Sequence, residues 1–399
     1  MMKSPLRSVP LATSGDLHPG LILVQRFLVR FGYLERGAFR AATVDAETAA
    51  ALRKYQARQG LDVSGDFDEP TRDLVATPRC ALPDLHHGLA RSTRCTWPTW
   101  SLTYRFGGVT TDVSGAIGAV QRAVDTWAAT VPVDLTEVAA GADVVIEWQP
   151  ADCNDYDMRG ESVLAGHADY PLGCREIPPL AALPLPVHLN DDLKWCDGTV
   201  QDEFDIETAA LHELGHVLGL EHHGSAGDVM YATLTPQFEN RSLRPTDLTQ
   251  VRSLYPTEDG WRACQACMGL FWTGAGSAVC PAGAAHDPTG SPNHHITRNL
   301  IVNPHIGWQA GWRRCGACAV LFLSAAAGSA CPAGGAHNSG GSADYSLLAV
   351  VSSSPGRQAN WRQCRLCQGL FFAGAAGSVC PAGVTHDRTG SADYGLIFR

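Results

Sequence analysis

The sequence has 399 residues, of which 45% are hydrophobic and 18% charged, enough apolar material for packed cores and too much for a mostly disordered chain. At about 150 residues per domain the length predicts two to three domains. Thirty Lys and Arg against 40 Asp and Glu leave a net charge of −10, which argues against a nucleic-acid binder working by phosphate neutralisation. No apolar run approaches the ~18 residues of a membrane span.

Residues 1–15 read as a disordered lead. Pro5, Arg7, Pro10, Ser14 and Asp16 interrupt any continuous apolar stretch between Met1 and Gly20, so no secretory signal is recognised there. Residues 16–77 read as a small all-α domain. Leu21, Val24, Phe27, Leu28 and Phe31 recur at helical spacing and stop at Gly32. A second helix is expected from about Asp45 to Arg58, ending at Gly60, and a third near Asp68-Glu69-Pro70. A linker, 78–96, precedes an α+β domain over 97–257. There the pattern gives a strand at Trp100–Phe106, a helix at Val113–Ala129, strands at Val144–Trp148 and Val187–Leu189, and helices at Ile206–Leu218 and Thr246–Leu254.

The chemistry lies in His212-Glu213-Leu214-Gly215-His216-Val217-Leu218-Gly219-Leu220-Glu221-His222. Residues four apart share a helix face, so His212 and His216 can present ring nitrogens to one ion. A turn at Gly219 brings back His222 as third ligand, leaving a fourth tetrahedral position open, as catalytic zinc requires. Glu213 is expected to act as general base toward the zinc-bound water.

This long zinc signature resembles that of the metzincin metallopeptidases, with Met230 in the place of their Met-turn. Pro78-Arg79-Cys80-Ala81-Leu82-Pro83-Asp84 resembles the cysteine switch of the matrixins, the matrix metalloproteinase family, although Ala81 stands where that family has glycine. The resemblance implies a mixed twisted sheet, Cys80 as fourth zinc ligand in a latent state, and Arg79 with Asp84 pairing to hold the loop. It further implies a structural metal, for which His167 and His188 are the candidates beside Asp155 and Asp157, and calcium sites. Cys95, Cys153, Cys174 and Cys196 also read as two disulfides of undetermined pairing. Arg91 and Arg94 suit a trypsin-like activating cut. Val24-Gln25-Arg26-Phe27-Leu28, Tyr55-Gln56, Gly60-Leu61 and Gly65-Asp66-Phe67-Asp68 with Thr71 resemble the peptidoglycan-binding-like domain that precedes many such catalytic domains. That domain reads as a folding and latency module or as a glycan binder.

Residues 258–399 are a threefold array, 258–308, 309–357 and 358–399, opened by Trp261, Trp312 and Trp361 at intervals of 51 and 49 residues. Cys264, Cys267, Cys280 and His286 have two, twelve and five residues between them. Cys315, Cys318, Cys331 and His337 repeat this spacing, as do Cys364, Cys367, Cys380 and His386. The pattern fits a zinc site per repeat, or a disulfide-stapled module. The array is expected to be β-rich with a trefoil-like threefold arrangement.

The expected fold is therefore multidomain: all-α, then metzincin-like α+β, then β-rich repeats. The expected function is a latent, secreted zinc endopeptidase acting on protein or peptide substrates, with glycan or cell-wall contact through its terminal domains. A peptidoglycan-directed peptidase and a glycan-binding protein with a vestigial peptidase domain are the alternatives. The expected substrate edge is Val187–Asp191.

Overall fold

The computed structural model describes residues 4–85, 96–97, 101–110, 112–152, 158, 162–171, 183–275, 278–298, 308–326, 328–349 and 357–398. Cys95, Cys153, Cys174, Arg91, Arg94, Asp155 and Asp157 lie outside these residues. The chain forms two compact units, one built mainly from residues up to Leu254 and the other mainly from Tyr255 onward.

The first unit opens with three short helices, α1 (Leu21–Arg30), α2 (Ala46–Gln59) and α3 (Glu69–Val75). The carboxylates of Asp45 and Asp68 cap α2 and α3 by accepting from the amides of Thr48 and Thr71, and Gly60 closes α2 in the left-handed region at φ 70°. Phe27, Phe31 and Tyr55 pack in a tilted and edge-on cluster with Leu28 and Leu52 beneath. The expectation of a disordered lead over 1–15 is corrected. Pro5–Ser8 forms a 3-10 turn, and Leu6, Val9 and Ala12, three residues apart, are buried in the same core. Three apolar side chains on one face recover enough buried area to order a short segment.

The rest of this unit is a six-stranded mixed sheet with helices α4 (Ala116–Ala128), α5 (Ile206–Val217) and α6 (Pro245–Leu254). Its strands are β1 (Arg79–Cys80), β2 (Ser101–Phe106), β3 (Asp134–Glu137), β4 (Val144–Gln149), β5 (Leu164–Ala168) and β6 (Leu185–Asn190), in the order β1-β5-β6-β4-β2-β3. β2, β4 and β6 run parallel, β5 is antiparallel to β6, and β1 lies parallel to β5. The expected edge at Val187–Asp191 is corrected: β6 lies between β4 and β5, and beyond β5 stands only the two-residue β1. Burial explains the difference, since Leu185, Val187, His188, Leu189 and Asn190 are all buried, as a strand covered on both faces requires. A small parallel pair, β7 (Trp195–Cys196) and β8 (Phe204–Asp205), leads into α5.

The second unit is β-rich and threefold, as expected. Each repeat gives a hairpin and an inner strand: β9 (Thr257–Ala263), β10 (Leu270–Trp272) and β11 (His294–Arg298); β12 (Trp308–Arg314), β13 (Leu321–Leu323) and β14 (Tyr345–Ala349); β15 (Arg357–Gln363), β16 (Leu370–Phe372) and β17 (Tyr394–Phe398). The inner strands close on one another in a cycle. Thr297 pairs with Ser346, Leu348 with Gly395, and Ile397 with His295. The fully buried Trp261 packs edge-on against Tyr345 of the second repeat and Trp312 against Tyr394 of the third, while Trp361 meets His294 of the first.

Candidate metal centre

Helix α5 is the platform. Asp205 caps it, accepting from both the amide and the hydroxyl of Thr208, and Arg241 pairs with the same carboxylate. Every residue of α5 is buried, and the indole of Trp127 on α4 donates to the carbonyl of Leu211. On this rigid element His212 and His216 share one face, and the chain turns after Leu218 to return His222, as the spacing predicts.

The three Nε2 atoms form a near-equilateral triangle. His212 to His216 and His216 to His222 are 3.1 Å, and His212 to His222 is 3.3 Å. Each ring is oriented through its other nitrogen: Nδ1 of His212 donates to the carbonyl of Val229, Nδ1 of His216 to that of Leu220, and Nδ1 of His222 to the carboxylate of Asp84, at 2.7–2.8 Å. Acceptors on all three Nδ1 atoms place the proton there and leave the Nε2 lone pairs converging. The Cys80 Sγ completes the set, 3.6 Å from His216 Nε2, and all four ligand atoms lie within 4.8 Å of one another. Tetrahedral zinc with imidazoles at about 2.0–2.1 Å and a thiolate at about 2.3 Å sets N···N near roughly 3.4 Å and N···S near roughly 3.6 Å. The residues present fit that ion.

Burial sets the protonation states. It pushes the His212 imidazole down to about 3 and His216 well below its ordinary value, each also repelled by neighbouring rings, so the ligands are neutral. Burial also raises the Glu213 carboxyl to about 8. The Cys80 thiol rises through burial and the adjacent Glu213, whose Oε2 it approaches at 3.5 Å.

The segment around Cys80 lies in the cleft as a strand. Cys80 N–H donates to the carbonyl of Ala232, Leu234 N–H to that of Pro78, and Ala81 N–H to that of Gly166 on β5. Ala81, in place of the family's glycine, is fully buried and is accommodated. Arg79 and Asp84 are paired as expected, bidentate at 2.5 and 3.1 Å with both side chains buried. The guanidinium also lies 3.6 Å from the Phe31 ring centroid, and the Tyr33 hydroxyl donates to Asp84. Asp84 thus ties Arg79, the α1 end of the helical domain and His222 together. Against its burial, Arg79 and His222 hold its carboxyl well below the usual range.

Met230 lies beneath the site, fully buried. Its turn is held by Asp247, whose carboxylate accepts from the amides of both Val229 and Met230. Sequence reading places Asp247 on the last helix but misses this role; the signal was an acidic residue in the first turn of α6 with no exposed partner. Gly215 is fixed by the same turn, because a Cβ there would sit 2.3 Å from the Met230 Sδ. Helix propensity alone favours Gly215→Ala by about 1 kcal/mol. Overpacking reverses the sign, so thermal unfolding is expected to show a loss of about 1–3 kcal/mol. A melting temperature above the parent's would contradict this packing.

His167 and His188 face each other across β5 and β6, with ring centroids 4.9 Å apart and His188 Nε2 3.1 Å from a Glu147 oxygen. Among the described residues they do not join a cluster of three or more candidate ligands. Cys196 is buried and unbridged. The twelve repeat residues form three further clusters in the second unit.

The fold and this centre define a class, the zinc metalloendopeptidases. Residues 96–256 match the matrixin family model and are a matrixin domain, and residues 18–75 match a putative peptidoglycan binding domain. The C-terminal repeats fall outside both. The chain is 26% identical over 265 residues to metalloendoproteinase 1 of Glycine max, covering 60% of this chain and 83% of that protein. It is 31% identical over 214 residues to human matrix metalloproteinase-27 and 31% over 211 to human matrix metalloproteinase-20, about half of this chain in each case. It spans only 39% and 41% of the length of those two relatives.

Proposed function

We propose that the chain is the latent form of a zinc-dependent endopeptidase that hydrolyses peptide bonds in proteins outside the cell, held inactive by Cys80 until the N-terminal domain is cut away. The observation that carries this reading is the tetrahedral fit of Cys80, His212, His216 and His222. A bound zinc ion supplies Lewis acidity toward a carbonyl and a nucleophilic water near neutral pH. The remaining work falls to the chain's own groups. Glu213 takes a proton from the attacking water and delivers it to the leaving amine. In the latent state Cys80 stands where that water would act.

Departure of Pro78–Asp84 frees the β5 edge and the carbonyls of Gly166 and Ala232, which suit an extended peptide added as a strand. The segment after Met230 borders this cleft with Tyr231, Leu234, Phe238 and Asn240 and sets side-chain preference there. His167 and His188 are read as the start of the second metal position implied by the family resemblance, calcium being a further expectation. The cyclic closure of the inner strands supports a trefoil-like reading of the repeats.

Cleavage between Pro83 and Trp97, where Arg91 and Arg94 stand, is expected to switch on casein hydrolysis as the N-terminal fragment appears by mass spectrometry. Full activity in the uncut chain would reject latency, and an inert trimmed, zinc-loaded protein would reject the peptidase. The match of residues 18–75 favours one second reading, a peptidase directed at peptidoglycan cross-links. Assays on casein and on purified cell walls separate the two.

A further inference from the structure

The repeats bury their cysteines without bridging them. All nine are buried, and none forms a disulfide. Cys264 and Cys280 Sγ lie 3.8 Å apart, as do Cys315 and Cys331, and Cys364 and Cys380. A covalent S–S bond is about 2.05 Å, whereas two thiolates on one tetrahedral zinc stand roughly 3.8 Å apart. The histidines complete the pattern. Nδ1 of His286, His337 and His386 lies 3.4–3.5 Å from Cys267, Cys318 and Cys367, against roughly 3.6 Å for thiolate and imidazole on a shared zinc.

The surroundings of each cluster are equally repeated. Each ring stacks on a phenylalanine of its own hairpin, His286 on Phe271, His337 on Phe322 and His386 on Phe371, at 4.5–4.8 Å between centroids. This holds the plane of each ring, with Nδ1 on the side of the sulfurs. Backbone amides of Asp287, Asn338 and Asp387 donate to Cys264, Cys315 and Cys364 Sγ at 3.4–3.5 Å, a contact that favours thiolate. The hairpin turn after each Cys-x-x-Cys pair places a non-glycine residue in the left-handed region: Met268 at φ 62°, Ala319 at 59° and Gln368 at 64°. That conformation is uncommon for such residues. Its recurrence at one position in three repeats points to a shared constraint that bends the chain around the two sulfurs. Apart from the cysteines, the clusters on this side contain little more than Phe271, Val320, Phe322 and Phe371 as buried apolar packing.

We propose that each repeat holds one zinc ion in a closed site of three cysteines and one histidine, so that the full chain carries four zinc ions. The repeat sites have four protein ligands and no open position, so their metal is structural: it replaces the hydrophobic packing these hairpins lack, and it shields nine thiols from oxidation. The three repeat ions go beyond the peptidase reading and do not depend on it; the fourth is the ion of that reading.

The test is zinc content of the full-length protein by elemental analysis, with free thiols counted in denaturant after chelation. About four zinc ions per chain are expected, falling to about three in the His212→Ala, His216→Ala double variant, which leaves the repeats untouched. At least eleven thiols should be countable once the metal is removed, the nine of the repeats with Cys80 and Cys196. In the native wild type a mercurial thiol reagent should release the three repeat zinc ions in step with three thiols modified per ion, apart from the fourth ion with its single sulfur, Cys80. This readout needs no variant to fold. Cys280→Ser should lower the count by one while leaving the other two repeats loaded. A total near one zinc with the repeat thiols missing would overturn the proposal in favour of disulfides. A total near one with the thiols present would overturn it in favour of empty sites.

Discussion

Replacing Glu213 by Gln is expected to lower peptide hydrolysis by the trimmed enzyme about 10²–10⁴-fold, the range that one positioned general base contributes. The amide keeps the carboxylate's shape, and Glu213 is not among the four ligand groups, so zinc content and the latent fold should match the parent. Glu213 is 3% exposed and its carboxyl meets the Cys80 Sγ at 3.5 Å, so it faces the position that this sulfur occupies beside the three histidines. Casein hydrolysis after controlled trimming, measured beside zinc content, checks this. Undiminished hydrolysis at equal zinc would remove Glu213 from the mechanism and with it the proton-transfer scheme.

Asp84→Asn is expected to activate the protein without any cut. The substitution leaves the Arg79 guanidinium buried, 1% exposed, without its counter-charge, and weakens the acceptor used by Tyr33 and His222. Removing one partner of a buried ion pair costs about 3–5 kcal/mol, which at about 1.4 kcal/mol per factor of ten moves the docking equilibrium by roughly two to three and a half orders of magnitude. The penalty falls on the docked state, since an undocked Arg79 is solvated. Hydrolysis by the intact chain, with mass spectrometry excluding cleavage, reads the effect. Trimming should then bring variant and parent to the same activity, because Asp84 leaves with the N-terminal segment. A variant as silent as the parent before trimming would show that the ion pair does not hold the switch.

The sequence made α5 and its ligands legible because the helical period alone places His212 and His216 together, and Gly219 marks where the chain turns toward His222. The placement of Cys80 beside the three histidines was legible through one heptapeptide. Other parts were not. β5 contains Leu164, Ala165, Gly166, His167 and Ala168, with no β-branched or aromatic residue to mark a strand, so its place at the edge went to the more obvious Val187–Leu189. The hydrogen bond from His222 to Asp84 spans 138 positions and obeys no local period. Asp247 and Met230 meet only through tertiary structure. Leu6, Val9 and Ala12 were too few to stand out from a lead broken by Pro5 and Pro10. In the repeats the three cysteines and one histidine of each copy leaned toward metal but left a disulfide module open, and the proposal of metal rests on the sulfur separations.

The cyclic pairing of β11, β14 and β17 carries one more consequence. Each inner strand belongs to three repeats at once, paired with its own hairpin and with both other inner strands, and each tryptophan is covered by a residue from a different repeat. A nibbling exoprotease that stripped the final strand would therefore expose an edge on both survivors and uncover Trp312, the ring against which Tyr394 packs. Shortened forms with one or two repeats are therefore expected to be cut further, the module being lost as one piece.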